Sequence, residues 1–295
     1  MAEYSEYICR TNTLSSPAYL GCEDKLRQPC GKGAINAVRQ LILKSPTIGS
    51  TRTDDEFLLR FLRARKCNVP DAFELLCNYC SYRQQNSSLF EKFGPADTAL
   101  QQALRDGFPG VLPQRDRRGR RVLVIFAANW DPSSYDLLTI YKAILYSLEK
   151  LIELPRNQVS GFIFIVDWSG FSFSQSSKLN PRVLKLMING LQDCFPARFK
   201  GVHFINQPWY VEAALTVIRP FLKEKTREKI YLHGNNMSTL HECIARDVLP
   251  AELGGEGPSY NQLSWADKVL EAEDSRTDNN TVQLTPPFKR KENSR

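Results

Sequence analysis

Three groups of residues have the types and spacing that chemistry uses. Cys77 and Cys80 form a C-x-x-C, which can hold a metal or cycle between thiols and a disulfide. Cys77 and Arg83 also frame C-x-x-x-x-x-R, a spacing with which a thiolate and a guanidinium can enclose a phosphate. Asp167, Ser169 and His233 lie near the ends of apolar runs, where open α/β sheets place ligands, and supply the types of a hydrolytic trio. Context argues against each. Phe73, Leu76, Cys77 and Cys80 fall at i, i+3, i+4 and i+7, so the cysteines belong to a helix whose amides are already bonded and cannot cradle a phosphate. A single C-x-x-C in a chain with three histidines reads as core packing, and no metal is expected. No G-x-S-x-G elbow supports the trio. Asp167 therefore reads as an acid capping a loop, and His233 as a hydrogen-bonded neighbour of Gly234 and Asn235. Gly31-Lys32-Gly33 does not complete a phosphate loop. Neither an enzyme nor a bound cofactor is expected.

What remains is aromatic and basic. Phe162, Phe164, Val166, Trp168, Phe171 and Phe173 crowd one stretch, and Phe195, Phe199 and Phe204 follow. Such a set fits a packed core or the lining of a cavity for an apolar ligand. A helix opening at Pro208 carries the interfacial aromatics Trp209 and Tyr210, then a stripe of Val211, Leu215, Ile218 and Leu222 that Pro220 should kink or end. That pattern suits a movable lid. Lys223, Lys225, Arg227 and Lys229 come next, and with Arg198 and Lys200 they could converge on one rim. At about 1 kcal/mol per basic residue near an anionic bilayer, such a rim gives on the order of 4 to 6 kcal/mol, enough for reversible docking. No nucleic-acid motif appears, and the aromatics do not interleave with the basic run, so nucleic acid is not expected as a partner. The second basic knot, Arg115 to Arg121, reads as a solvated hairpin.

The elements that must position these groups follow from the periodicity. The chain has 295 residues, 42% of them hydrophobic, with a net charge of +7, which fits a folded protein with an anionic partner. The longest apolar run, Val122 to Ala128, is far too short to cross a bilayer. Residues 1–32 read as a flexible segment and 33–92 as a small all-α domain, whose second helix starts at Thr53-Asp54-Asp55-Glu56. Over 98–257 the apolar runs Val122–Ala128, Phe162–Val166, Val202–Ile205 and Ile230–Leu232 alternate with helical patterns near 136–153, 181–194 and 208–222. That alternation predicts an α/β domain built on a mainly parallel sheet. Residues 258–295 read as an extension with a mobile basic tail from 276, and the eight cysteines as free thiols of a cytosolic protein.

One stretch, Phe57-Leu58-Leu59-Arg60-Phe61-Leu62-Arg63-Ala64-Arg65-Lys66, resembles the N-terminal helical signature of the CRAL-TRIO lipid-binding proteins. The blocks 191–196, 219–225 and 232–236, with Leu249-Pro250 and Gly254-Gly255, carry the likeness over 33–257. Within that family the chain is most similar to the clavesins, at 126–131, 167–169 and 206–210. The resemblance implies a CRAL-TRIO fold: a helical domain on an α/β lipid-binding domain whose cavity is closed by a gate helix, here within 206–229. It implies a cavity lined by Tyr141, Ile144, Leu148, Phe162, Val166, Phe173, Leu179, Leu191 and Phe195, and a gate meeting the membrane through Trp209, Tyr210, Val211, Leu215, Ile218, Phe221 and Leu222. It also implies a phosphoinositide cleft at Arg65, Arg198, Lys200, Lys225 and Lys229. The implied ligands are a hydrophobic small molecule and phosphatidylinositol 3,5-bisphosphate, without enzymatic turnover. Implied partners include clathrin and adaptor proteins, through reversible peripheral association with endosomes, the trans-Golgi network and clathrin-coated vesicles. Two further readings stay open: a soluble carrier of a retinoid-, tocopherol- or sterol-like ligand, and a clathrin-coat adaptor that transports no lipid.

Overall fold

Local signals set the first three helices. The computed structural model describes residues 30–46, 48 and 51–277. The expected flexible segment lies outside them up to residue 29, as does the basic tail from 278. Helix α1 spans Lys32–Lys44, α2 Asp55–Ala64 and α3 Val69–Gln85. Asp54, rather than Thr53, caps α2, its carboxylate accepting the Phe57 amide at 3.0 Å. Asn68 caps α3 in the same way, with Pro70 in the first turn. Val38, Ile42, Leu58, Phe61, Leu62, Leu75 and Leu76 bury their side chains in a core of these helices alone. One expectation fails here: Cys30 and Cys67 are joined in a disulfide, so these two are not free thiols. Cys80 is buried in that core, its sulfur 3.5 Å from the Thr51 hydroxyl.

The rest of the chain builds one sheet. After α4 (Thr98–Arg105) come β1 (Gly110–Arg115) and β2 (Arg121–Phe126), an antiparallel hairpin. Helices α5 (Leu137–Leu151) and α6 (Pro155–Ser160) lead to β3 (Phe162–Asp167). Helices α7 (Phe173–Ser176) and α8 (Pro181–Asn189), with a π-turn at Gly190–Cys194, lead to β4 (Phe199–Ile205). Helices α9 (Trp209–Ile218) and α10 (Glu224–Arg227) lead to β5 (Ile230–Leu232), and α11 (Met237–Cys243) and α12 (Leu263–Thr277) follow. The strand order is β1-β2-β3-β4-β5, parallel throughout except for β1.

Each face of the sheet has its own apolar layer. Phe162 and Phe164 face a large core shared with α4, α5 and α12. Ile163, Ile165 and Ile205 face a smaller one closed by Leu240, Ile244 and Leu249. Helix α12 was not expected beyond Pro258, yet Trp265, Ala266, Val269 and Leu270 are buried in the larger core, and the Trp265 indole donates to the Ser147 hydroxyl at 3.0 Å. The helical bundle joins the sheet domain through polar contacts. Glu149 of α5 accepts from Tyr79, Arg60 and Arg83, and Arg63 donates to Gln158 at 2.7 Å.

Candidate functional site

Parallel strands place their starting residues along one edge, and here those residues are cations. Arg121 lies level with Phe162 and Phe162 with Phe199, while the Val202 amide donates to the Lys229 carbonyl at 2.8 Å. Arg120, Arg198, Lys200 and Lys229 therefore share the edge where β2, β4 and β5 begin. A bulge aims Lys200. Phe162 pairs with Phe199 but Ile163 pairs with Gly201, so Lys200 is the extra residue and escapes the alternation that sends Val202 to the large core. Gly161, at φ +83°, makes room: a Cβ there would sit 2.2 Å from the Arg198 carbonyl oxygen. Arg198 is half-buried and donates to the Val159 carbonyl at 2.9 Å.

Lys200 is crowded by charge of its own sign. Partial burial of its ammonium, then the charges of Arg198, Lys229, Arg120 and Lys66, lower it to about 8. Lys66 reaches this group from the turn after α2, where it and Cys67 are both left-handed, at φ 53° and 62°. Two members were thus absent from the sequence expectation. Lys66 adjoins the expected Arg65, and Arg120 belongs to the hairpin read as merely solvated. Arg120 is held against Asp116 at 2.5 Å, and only the sheet register brings it to Lys200. Arg65 is half-buried at the end of α2, and Lys225 is exposed on α10; neither is among the charges that act most on Lys200.

The expected apolar residues divide. Tyr141, Ile144, Leu148, Phe162 and Phe195 are buried in the large core, with Leu179 and Leu191 half-buried against it, and Val166 is buried on β3. Phe173 stands apart, 63% exposed, its ring 6.1 Å from that of Trp209. The wall contributed by α8 and α9 is incompletely packed. On α8, Val183, Leu184, Leu186, Met187 and Ile188 are all half-buried and none is buried. On α9 only Val211 is buried, with Leu215 and Ile218 half-buried, while Leu222 is buried beyond the Arg219–Phe221 turn. Trp209 is 72% exposed, Phe221 is also exposed, and the Tyr210 hydroxyl donates to the Phe171 carbonyl.

The would-be catalytic groups are structural. Asp167 accepts from the Ser169 amide at 2.9 Å, the Ser169 hydroxyl at 2.8 Å and Asn206 at 2.9 Å, which makes it a loop cap. His233 turns elsewhere. The Thr239 hydroxyl donates to the Asn236 carbonyl, so it accepts from His233 Nδ1; His233 Nε2 then accepts from His203 Nδ1 at 2.9 Å. Both rings are neutral, burial first and then neighbouring charge lowering His203 to about 3, and burial lowering His233 to about 4. Because the unfolded chain protonates both near 6.5, stability is fully present above that value and falls as pH drops towards 4, by up to about 1.4 kcal/mol per pH unit for His203. Melting temperatures from pH 7 to 4.5 should show this fall, and His203→Gln should flatten it; an equal slope in the variant would contradict the assignment.

The chain is similar to known proteins. Residues 105–255 match the CRAL/TRIO domain and residues 34–78 the CRAL/TRIO N-terminal domain. Clavesin-2 of Homo sapiens is 54% identical over 256 residues, covering 86% of this chain and 78% of its own. Clavesin-1 of Rattus norvegicus is 56% identical over 236 residues, covering 80% and 67%. A crystal structure of Sfh5 matches with a TM-score of 0.55 at 14% identity, covering 84% of this chain and 99% of Sfh5, a likeness of fold.

Proposed function

Because the chain belongs to the CRAL/TRIO family of lipid-binding proteins, we propose that it carries a hydrophobic small molecule and docks on membranes through a phosphoinositide headgroup. The hydrophobic ligand sits between the sheet, α5, α8 and α9, where the half-buried side chains of α8 and α9 leave apolar surface uncovered. The headgroup, phosphatidylinositol 3,5-bisphosphate, binds at the basic edge with Arg65 and Lys225 at its margin. The protein acts without turnover on endosomes, the trans-Golgi network and clathrin-coated vesicles. One observation carries this reading: the start of the parallel strands gathers Arg198, Lys200, Lys229 and Arg120, with Lys66 near by, and of these Arg120 is paired with Asp116, so the charge at Lys200 is one that a bound polyanion relieves.

Magnitudes support a division of labour. Moving a twelve-methylene chain out of a bilayer costs about 10 kcal/mol, which only a nearly dry cavity offsets, so the gate opens where the membrane is. The exposed pair Phe173 and Trp209 supplies the insertion point beside the gate. Sedimentation with liposomes containing the bisphosphate tests the headgroup, and native mass spectrometry of the purified protein tests the carried lipid. Absence of binding to both would overturn the proposal. Replacing Phe173 and Trp209 by alanine should weaken liposome binding about tenfold at an unchanged melting temperature, since both rings are mostly exposed. Unaltered binding would remove them from the membrane contact.

A further inference from the structure

The end of the candidate gate is fastened to the π-turn at Gly190–Cys194. The Lys223 ammonium pairs with Asp193 at 2.5 Å, and the Lys223 amide donates to the Gln192 side chain at 2.8 Å. Lys185 of α8 lies 4.8 Å from the centre of the Phe221 ring. The π-turn is itself backed by the helical bundle. Tyr82 of α3 donates to the Leu186 carbonyl at 3.0 Å and accepts from the Tyr141 hydroxyl at 2.8 Å. Both hydroxyls lie over Gly190, and Asn78 reaches the Asp193 carbonyl at 3.5 Å.

We propose that Gln192 and Asp193 are positioning residues that latch the gate shut through Lys223, with α3 as the fixed wall behind them. This rests on reading residues 206–229 as the gate, with the helix of 208–222 as its moving part. The latch has the properties of a releasable contact. Lys223 is 66% exposed and Asp193 31%, so solvent ions screen the pair and an anionic surface can compete for the ammonium. The remaining polar contacts are the hydrogen bond from the Lys223 amide to Gln192 and the Lys185 ammonium over the Phe221 ring, at a turn that a few dihedral changes can open. Single π-turns at the end of a helix are frequent at functional sites.

Amide hydrogen exchange on the full-length protein separates the outcomes without requiring the carried lipid. In Asp193→Asn or Lys223→Met, exchange across residues 209–222 should accelerate about five- to tenfold, while the amides of β3 and of α1–α3 stay unchanged. Salt should accelerate the same amides in the native sequence and have no effect in Asp193→Asn. The charge swap, Asp193→Lys with Lys223→Asp, should restore slow exchange, which a merely structural Asp193 would not allow. If 209–222 exchange quickly in the native sequence and neither variant changes the rate, the latch is wrong while the gate stands. If they exchange as slowly as β3 in every variant, the gate reading itself fails, and the latch with it.

Discussion

Alanine at both Lys200 and Lys229 lowers affinity for liposomes bearing phosphatidylinositol 3,5-bisphosphate by about 30-fold, from about 1 kcal/mol for each cation near an anionic surface. Neither side chain belongs to an apolar core, so the loss does not come from a damaged one. In the absence of lipid the same variant should melt at a higher temperature, because it relieves repulsion from Arg198, Arg120 and Lys66. Binding down and stability up is the signature of charges kept together for a ligand. A change in affinity below threefold would remove the edge from the headgroup site. The pH dependence gives a second handle on the same residue. Free Lys200 titrates near 8, and a bound anion raises that value, so affinity is fully present below 8 and declines as pH rises through it. By pH 9 affinity falls about fourfold, most of the roughly fivefold that about 1 kcal/mol represents. Lys200→Arg should lose that dependence while keeping the binding.

The parts of this molecule legible in the sequence are those with local causes. Helices α1 to α3 announce themselves through apolar period and capping residues, and β2 to β5 through short apolar runs. Strand β1 does not, because Gly110-Val111-Leu112-Pro113-Gln114-Arg115 has a proline and a polar end and owes its conformation to pairing with β2. Helix α12 hides for a related reason: its buried residues form a narrow stripe among charges, and Leu263 at its start is exposed. The basic edge is half legible. Composition brings Arg198, Lys200 and Lys229 to attention, but the bulge that frees Lys200 and the register that delivers Arg120 are long-range facts. The Cys30–Cys67 bond closes 37 residues with no spacing pattern to mark it. Phe173 shows the opposite hazard. It belongs to an aromatic run that suggests an interior, yet the Ser172–Gln175 capping box opens a short helix there and leaves the ring outside with Trp209.

Gly190→Ala should destabilise the fold by about 3 kcal/mol, the combined cost of overpacking and of a broken buried hydrogen bond. The new Cβ would lie 1.9 Å from the Tyr141 hydroxyl and 2.8 Å from that of Tyr82. Tyr141 has no exposed surface and Tyr82 is buried, so neither ring has solvent to swing into. Adding Tyr141→Phe removes the nearest clashing oxygen. The double variant should therefore recover at least about 1 kcal/mol over the sum of the single losses in urea unfolding. A Gly190→Ala change within about 0.5 kcal/mol of the native protein would mean that the π-turn yields readily. That outcome bears directly on how the two domains cooperate. The glycine is where a tyrosine of the helical bundle meets a tyrosine of helix α5, two residues before Gln192, which accepts from the Lys223 amide at the end of the proposed gate. A rigid junction there lets the bundle act as the backstop of the gate, whereas a yielding one would leave the gate answerable to its own hinge alone.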